Sequence, residues 1–310
     1  PVSKYIPEFA HPAVLNTFNP KDSSYTTVPA NREITVRDLL THTSGIDYAV
    51  IGSENMRAIY AKAGIPVGFE SRSLVLGDEI RKLGKLPLVH QPGLAFTYGL
   101  NCDVLGYLIE VVSGMRFDRF LHERIFMPLG MGDTYFYLPD DRKTRLVPAY
   151  TVTSEGELVK IDTVAFGGMN INYPITKGTY FSGGAGLSST ARDYAIFLQM
   201  LLNGGTYNGS RILSKRTGEL MTTNQIGDLN LGVNKFGLGF EITTAAGQAK
   251  TALSEGSFAW GGYFSTTYWA DPEEKLIGLL FFQQSPMLHP EIEDAFKMII
   301  YGSITDVSEG

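Results

Sequence analysis

The stretch SEGSFAWGGYFSTTYWADPEEKLIGLLFFQQ, Ser254 to Gln284, constrains the architecture of this chain more than any other. Phe258 to Trp269 and Leu276 to Gln283 are dense in aromatic and β-branched residues, and an Asp-Pro-Glu-Glu-Lys turn sequence joins them. That composition predicts two well-buried antiparallel strands. KFGLGFEIT, upstream, is a third strand candidate, and HPEIEDAFKMIIYG, downstream, reads as a terminal helix. Three strands and a helix linked by short turns give an antiparallel sheet covered by helices, not a βαβ array. Gly261 and Gly262 sit inside the first of the two runs, where glycine weakens the ladder. Such a pair marks either a bulge or a place where a backbone or ligand comes close.

The first two-thirds read mainly as helices and loops. TVRDLLTHTSG has a capping-box pattern at Thr35 and Asp38 and runs to Gly45. NCDVLGYLIEVVSG places Val104, Leu105, Leu108, Ile109 and Val112 at helical spacing before Gly114. SSTARDYAIFLQMLLNGG repeats the cap pattern at Thr190 and Asp193 and stops at Gly204-Gly205. Leu138 to Phe181 is turn-rich. The expected organisation is one domain over 1–310, with a mainly helical lobe at about 22–205 and an α/β lobe at about 206–310. A cleft between the lobes is the default site.

Composition narrows the function. A net charge of −6 without a basic run argues against nucleic acid or an acidic membrane surface as partner. The longest apolar run, Leu276 to Phe282, is far short of a bilayer span. One cysteine, Cys102, allows no internal disulfide. The five histidines are scattered without metal-site spacing, so no metal or other cofactor is expected. No GxGxxG, Walker A loop or GxSxG elbow is present.

Three stretches together resemble the serine β-lactamase-fold hydrolases, above all class C β-lactamases and family VIII carboxylesterases. They are LLTHTSGI (Leu39 to Ile46); FTYGLNCDVLGYLIEVVSG (Phe96 to Gly114) with PLGMGDTYF (Pro128 to Phe136); and GGAGLSSTARDYAIFLQMLLNGG (Gly183 to Gly205). The resemblance runs from about Pro1 to Gly302. It implies a β-lactamase/transpeptidase-like α+β fold, an antiparallel sheet flanked by helices beside a large helical lobe. It also implies acyl transfer to a serine that is followed three residues later by lysine. A hydroxyl is a poor nucleophile until a neighbouring base accepts its proton. The family tyrosine of a Tyr-x-Asn loop corresponds to Tyr98, which follows the turn QPGLAF and precedes a helix. Trp260-Gly261-Gly262 corresponds to the family's Lys-Thr-Gly strand. The glycines then let an acyl group lie along the backbone, and Tyr263 contributes an oxyanion N–H.

This sequence departs from the family pattern at the tyrosine loop and at the lysine of the strand. It reads Tyr98-Gly99-Leu100 with Asn101 one place late, so Asn101 is a substrate contact or only a helix cap. His42 reads as a structural histidine. Trp260 replaces the lysine that pairs with a β-lactam carboxylate, pointing to a neutral, small-molecule acyl substrate such as an ester.

No Ser-x-x-Lys occurs; Ser189-Thr-Ala-Arg192 only looks like one. In the resembling family that motif precedes a PVSKYIPEF-like stretch by a few tens of residues. The expectation is that the nucleophile helix and first strands are absent here. The chain alone is then inactive, its own N-terminal segment is a potential partner, and the sheet has an open edge. A catalytically silent binding or assembly module, or a D-amino-acid peptidase or β-lactamase, is the alternative. The resemblance favours export or the periplasm.

Overall fold

The computed structural model describes residues 1–69, 73–164 and 168–304, and these divide into two compact units. The first comprises 1–146, 162–193 and 226–230; the second comprises 147–161, 194–225 and 231–310, of which 305–310 lie outside the described residues.

The first unit opens with two short helical turns and a hairpin, β1 (Ala13–Asn19) and β2 (Ser24–Pro29). Six helices follow: α1 (Val36–Leu40), α2 (Glu54–Ala63), α3 (Leu76–Leu83), α4 (Asn101–Ser113), α5 (Phe117–Leu121) and α6 (Met127–Leu129). Leu39, Met56, Ile80 and Val104 from the helices and Ile34, Ile46 and Leu100 from the segments between them share one core. The first expected cap is present in full. Thr35 accepts from the Asp38 N–H at 3.1 Å while the Asp38 carboxylate accepts from the Thr35 N–H at 2.8 Å. Gly114 ends α4 in the left-handed conformation that lets glycine cap a helix without steric cost. α1 is shorter than the run to Gly45: it stops at Leu40, where the Thr41 hydroxyl returns to the Arg37 carbonyl and His42 turns to φ +54°. Thr35→Ala is expected to cost about 1 kcal/mol, since the hydroxyl's two part-buried bonds to Asp38 are lost while the Arg32–Asp38 pair persists. A shift of that size in the urea midpoint checks it.

The second unit contains a short hairpin, β3 (Tyr150–Val152) and β4 (Leu158–Lys160), most of α7 (Ala191–Leu202), and the ribbon β5 (Thr206–Tyr207) and β6 (Ser210–Arg211). After α8 (Lys215–Met221) come β7 (Lys235–Phe236), β8 (Glu241–Ile242), α9 (Ala245–Gln248), β9 (Phe258–Gly261), β10 (Thr266–Asp271), β11 (Leu276–Phe281) and α10 (Glu291–Gly302). The strands form an antiparallel sheet in the order β11-β10-β9-β8-β7. Alternation along β10 sends neighbouring side chains to opposite faces. Tyr268 meets Tyr194 of α7 at 4.6 Å between centroids, and Trp269 meets Phe296 of α10 at 5.8 Å. Gly278 pairs across from Trp269, and a β-carbon there would enter the indole ring. That contact explains a glycine in the middle of an apolar strand.

Two expectations need correction. The division near residue 205 is not observed: Asp193 of α7 belongs with the first unit and the helix from Tyr194 onward with the second. The cause is side-chain commitment. Asp193 accepts from the Asp133 N–H and the Thr134 hydroxyl, whereas Tyr194 packs on Tyr268 and Phe281. The same bonds leave only half of the second cap, Thr190 accepting from the Asp193 N–H. The run Phe258 to Trp269 is also not one strand. It breaks at Gly262 to Ser265 into a turn, so β9, β10 and β11 form a meander.

Candidate active site

In the first unit, the segment Thr43–Asp47 lies alongside 89–100. Val89 donates to Gly45, Gly93 to Thr43, and Leu100 to Asp47 at 2.7–3.3 Å. The approach is backbone to backbone, and glycines permit it. Gly45 has φ +86° with the His90 carbonyl where its side chain would be. A β-carbon at Gly99 would fall on the Ile46 carbonyl. The Tyr-Gly-Leu that departs from Tyr-x-Asn thus places its glycine where no side chain fits.

Tyr98, half-buried, sits between two rings. His42 lies 4.9 Å from it, tilted by 45°, and Tyr48 stacks at 5.5 Å and 29°. Behind them is a fully buried polar row. Ile46 N–H donates to Ser44 Oγ at 3.0 Å, Ser44 Oγ donates to Asn101 Oδ1 at 2.5 Å, and Asn101 Nδ2 meets His42 Nδ1 at 2.9 Å. Burial lowers the His42 pKa to about 4 and raises that of the Cys102 thiol to about 12. Both are neutral at ordinary pH.

Asp103, one position on, is completely buried, and burial raises its pKa to about 6. The Tyr180 hydroxyl reaches Oδ1 at a long 3.4 Å. Oδ2 lies towards Ser182 and the Gly183 and Gly184 N–H groups without a well-formed bond. Burial, and then the Asp103 charge, push the Tyr48 and Tyr180 phenols well above their usual range.

Asn101 corrects an expectation. It is wholly buried, its amide is spent on Ser44 and His42, and Leu100 holds the cap position. It is neither a substrate contact nor a cap; it is part of the support under Tyr98.

In the second unit, Trp260 is half-buried on β9, its ring 5.2 Å from buried Phe236 and nearly perpendicular to it. Gly261 and Gly262 are exposed. Gly262 closes the turn, donating to the Thr266 carbonyl at 2.7 Å and accepting from the Ser265 N–H at 3.1 Å. A side chain there would strike the Thr266 hydroxyl. Close approach of the Thr266 side chain therefore accounts for Gly262. Tyr263 follows in the turn, its ring against Phe264 at 5.1 Å.

Tyr48 and Asp103 escaped the sequence reading. Asp103 reads as an ordinary acid in the first turn of a helix, favoured by the dipole. Tyr48 carries no local signal, because only the return of 89–100 brings it to Tyr98. Among the described residues no group of three or more His, Cys, Asp and Glu is placed to hold a metal, and no helix is long and apolar enough to cross a membrane.

With a tyrosine held on a tight loop before a helix and a glycine-edged strand in an antiparallel sheet, the fold is of the β-lactamase/transpeptidase type. The chain belongs to the Beta-lactamase family, whose model matches residues 1–302. It is 33% identical over 304 residues to Protein Rv1367c of Mycobacterium tuberculosis, covering 93% of this chain and 71% of that protein. It is 26% identical over 284 residues to Esterase EstB of Burkholderia gladioli, covering 87% and 67%. The structure of EstCE1, described as a hydrolase with promiscuous acyltransferase activity, superposes with a TM-score of 0.76 at 28% identity, over 95% of this chain and 76% of that one. The class is that of acyl-enzyme serine hydrolases of the esterase and β-lactamase type.

Proposed function

We propose that the protein acts on neutral carboxylic esters, with Tyr98 as general base and the Tyr263 N–H as an oxyanion donor. Trp260 carries this reading. Where the family lysine would supply a cation for a substrate carboxylate, this chain offers an indole packed on Phe236, which is apolar and adds only one N–H donor. An uncharged acyl group suits that surface better than a β-lactam or a D-Ala-D-Ala carboxylate. Similarity to Esterase EstB supports the ester class, and similarity to EstCE1 supports acyl chemistry. The catalytic serine is assigned to a Ser-x-x-Lys-bearing segment, since the 310 residues contain no such motif. Two features of the second unit suit a docked segment. Among the described residues β3 bridges the chain just beyond β11, at Gln283 to Ser285 through Tyr150, and no strand pairs the outer edge of Leu276–Phe281 itself, whose sequence is Leu-Ile-Gly-Leu-Leu-Phe. α10 also exposes Met298 at 69% and Ile299 at 71%. An unpaired apolar strand edge readily accepts an added strand, and an exposed apolar helix face accepts apolar cover.

A fluorophosphonate probe with intact-mass detection tests the assignment. An adduct on a second, Ser-x-x-Lys-bearing polypeptide supports it. An adduct on the 34.0 kDa chain itself moves the nucleophile into these residues. No adduct on either favours a silent binding module. With the active assembly, kcat/KM for p-nitrophenyl butyrate is expected to exceed that for nitrocefin, and the reverse order would exclude the ester reading. Tyr98→Phe is expected to lower kcat about 10²-fold, the scale of general-base effects. An unchanged rate removes Tyr98 from the chemistry.

A further inference from the structure

We propose that His42 is a positioning residue for Tyr98, holding the phenol with a neutral imidazole whose proton is on Nε2; this rests on the assignment of Tyr98 as the base. His42 grips three consecutive residues. Its carbonyl accepts from the Thr97 N–H at 2.8 Å, its ring lies 4.9 Å from that of Tyr98, and its Nδ1 accepts from the Gly99 N–H at 3.4 Å. One side chain and its own backbone thus fix the loop before, at and after the phenol.

The tautomer follows from the bonds at Nδ1. The Gly99 backbone N–H can only donate, so His42 Nδ1 accepts, and the Asn101 amide that faces it leaves Oδ1 to accept the Ser44 proton. That orients the Asn101 amide with its Nδ2–H₂ towards His42 Nδ1. A nitrogen that accepts from both Asn101 and Gly99 cannot carry a proton. The proton therefore sits on Nε2, which faces Cys102 Sγ at 3.8 Å. The ring is 2% exposed, and burial opposes a second proton. The backbone contributes as well. At φ +54°, His42 occupies the left-handed region, which histidine tolerates better than most side chains. The device is orientation without charge. His42 sets where the Tyr98 ring lies against Tyr48, while any cation that assists the phenolate must come from another group.

The test uses the full chain with ¹⁵N-labelled histidine rings and ¹³Cζ-labelled tyrosine. Tyr98 is assigned through Tyr98→Phe, and His42 through His42→Asn. The expected wild-type result is the neutral Nε2–H signature for His42 across about pH 5.5 to 9. His42→Asn keeps an acceptor near the Nδ1 position and tolerates the left-handed backbone. It should shift and broaden the Tyr98 signal and move its titration midpoint, leaving Tyr207 in the second unit unmoved. With ester-active assembly, the same variant should lose about tenfold or more in kcat with little change in KM. A charged or Nδ1-protonated His42 in that range overturns the proposal, as does an unaltered Tyr98 signal in His42→Asn. If that variant does not fold, the wild-type signature decides alone. Failure of the general-base assignment is read separately, as unchanged turnover in Tyr98→Phe.

Discussion

Gly99→Ala is expected to destabilise the first unit by about 3 kcal/mol, the upper range for forcing one methyl into a closed backbone contact. The new β-carbon would land on the Ile46 carbonyl, with Asp47 backbone atoms close behind. That backbone cannot withdraw easily. Ile46 N–H is bound to Ser44 Oγ, and the Asp47 carbonyl accepts from Leu100. The smaller unfolded-state entropy of alanine returns only about 0.4–1 kcal/mol. Both tryptophans, Trp260 and Trp269, lie in the second unit, so their fluorescence follows that unit while far-UV circular dichroism follows the whole chain. The denaturation midpoint by dichroism should fall clearly, and that by tryptophan fluorescence should fall less. An unmoved dichroism midpoint would show that the two segments are not packed backbone to backbone.

The second large effect belongs to Asp103. Its pKa is raised from 3.8 unfolded to about 6 folded, by burial above all. The folded chain therefore binds this proton more tightly. Stability from the protonated form is fully present below about pH 4 and is lost as pH rises through about 6. Two pK units correspond to about 3 kcal/mol. Asp103→Asn should abolish that slope between pH 4 and 7, read as the urea midpoint of variant and wild type across the window. Glu110 is raised in the same direction, His42, lowered from 6.5 to about 4, slopes the opposite way across the same window, and Asp38 is lowered, with its transition below the window. The difference between the two proteins isolates Asp103. Parallel profiles would mean that Asp103 is ionised in the fold without cost, through bonds to Ser182, Gly183 and Gly184.

Much of this could be seen in one dimension. Thr35 and Asp38 form the expected reciprocal cap because both partners lie within one turn. Gly114 ends α4 because the left-handed residue is specified locally. The resemblance carried by LLTHTSGI and the helix after Tyr98 reached the family. Local reading failed where a residue's role depends on a distant neighbour. The Gly261-Gly262 pair looks the same whether it interrupts a strand or opens a turn; Thr266 settles which at Gly262. α7 reads as one amphipathic helix, yet Asp193 and Tyr194 commit to different units.

Fold class, the Thr35–Asp38 and Gly114 caps, the family and the apolar residue at the lysine position were all legible along the chain. Those signals are spacings and compositions repeated within a few residues. Only the tertiary structure decided that Asn101 supports rather than contacts, that His42 grips Thr97 to Gly99, and that Asp103 is buried against Tyr180. Each is a pairing across some 55 residues or more, and the physical reason is the same for all three. A polar group shows its role only when the fold has chosen which partner replaces water around it.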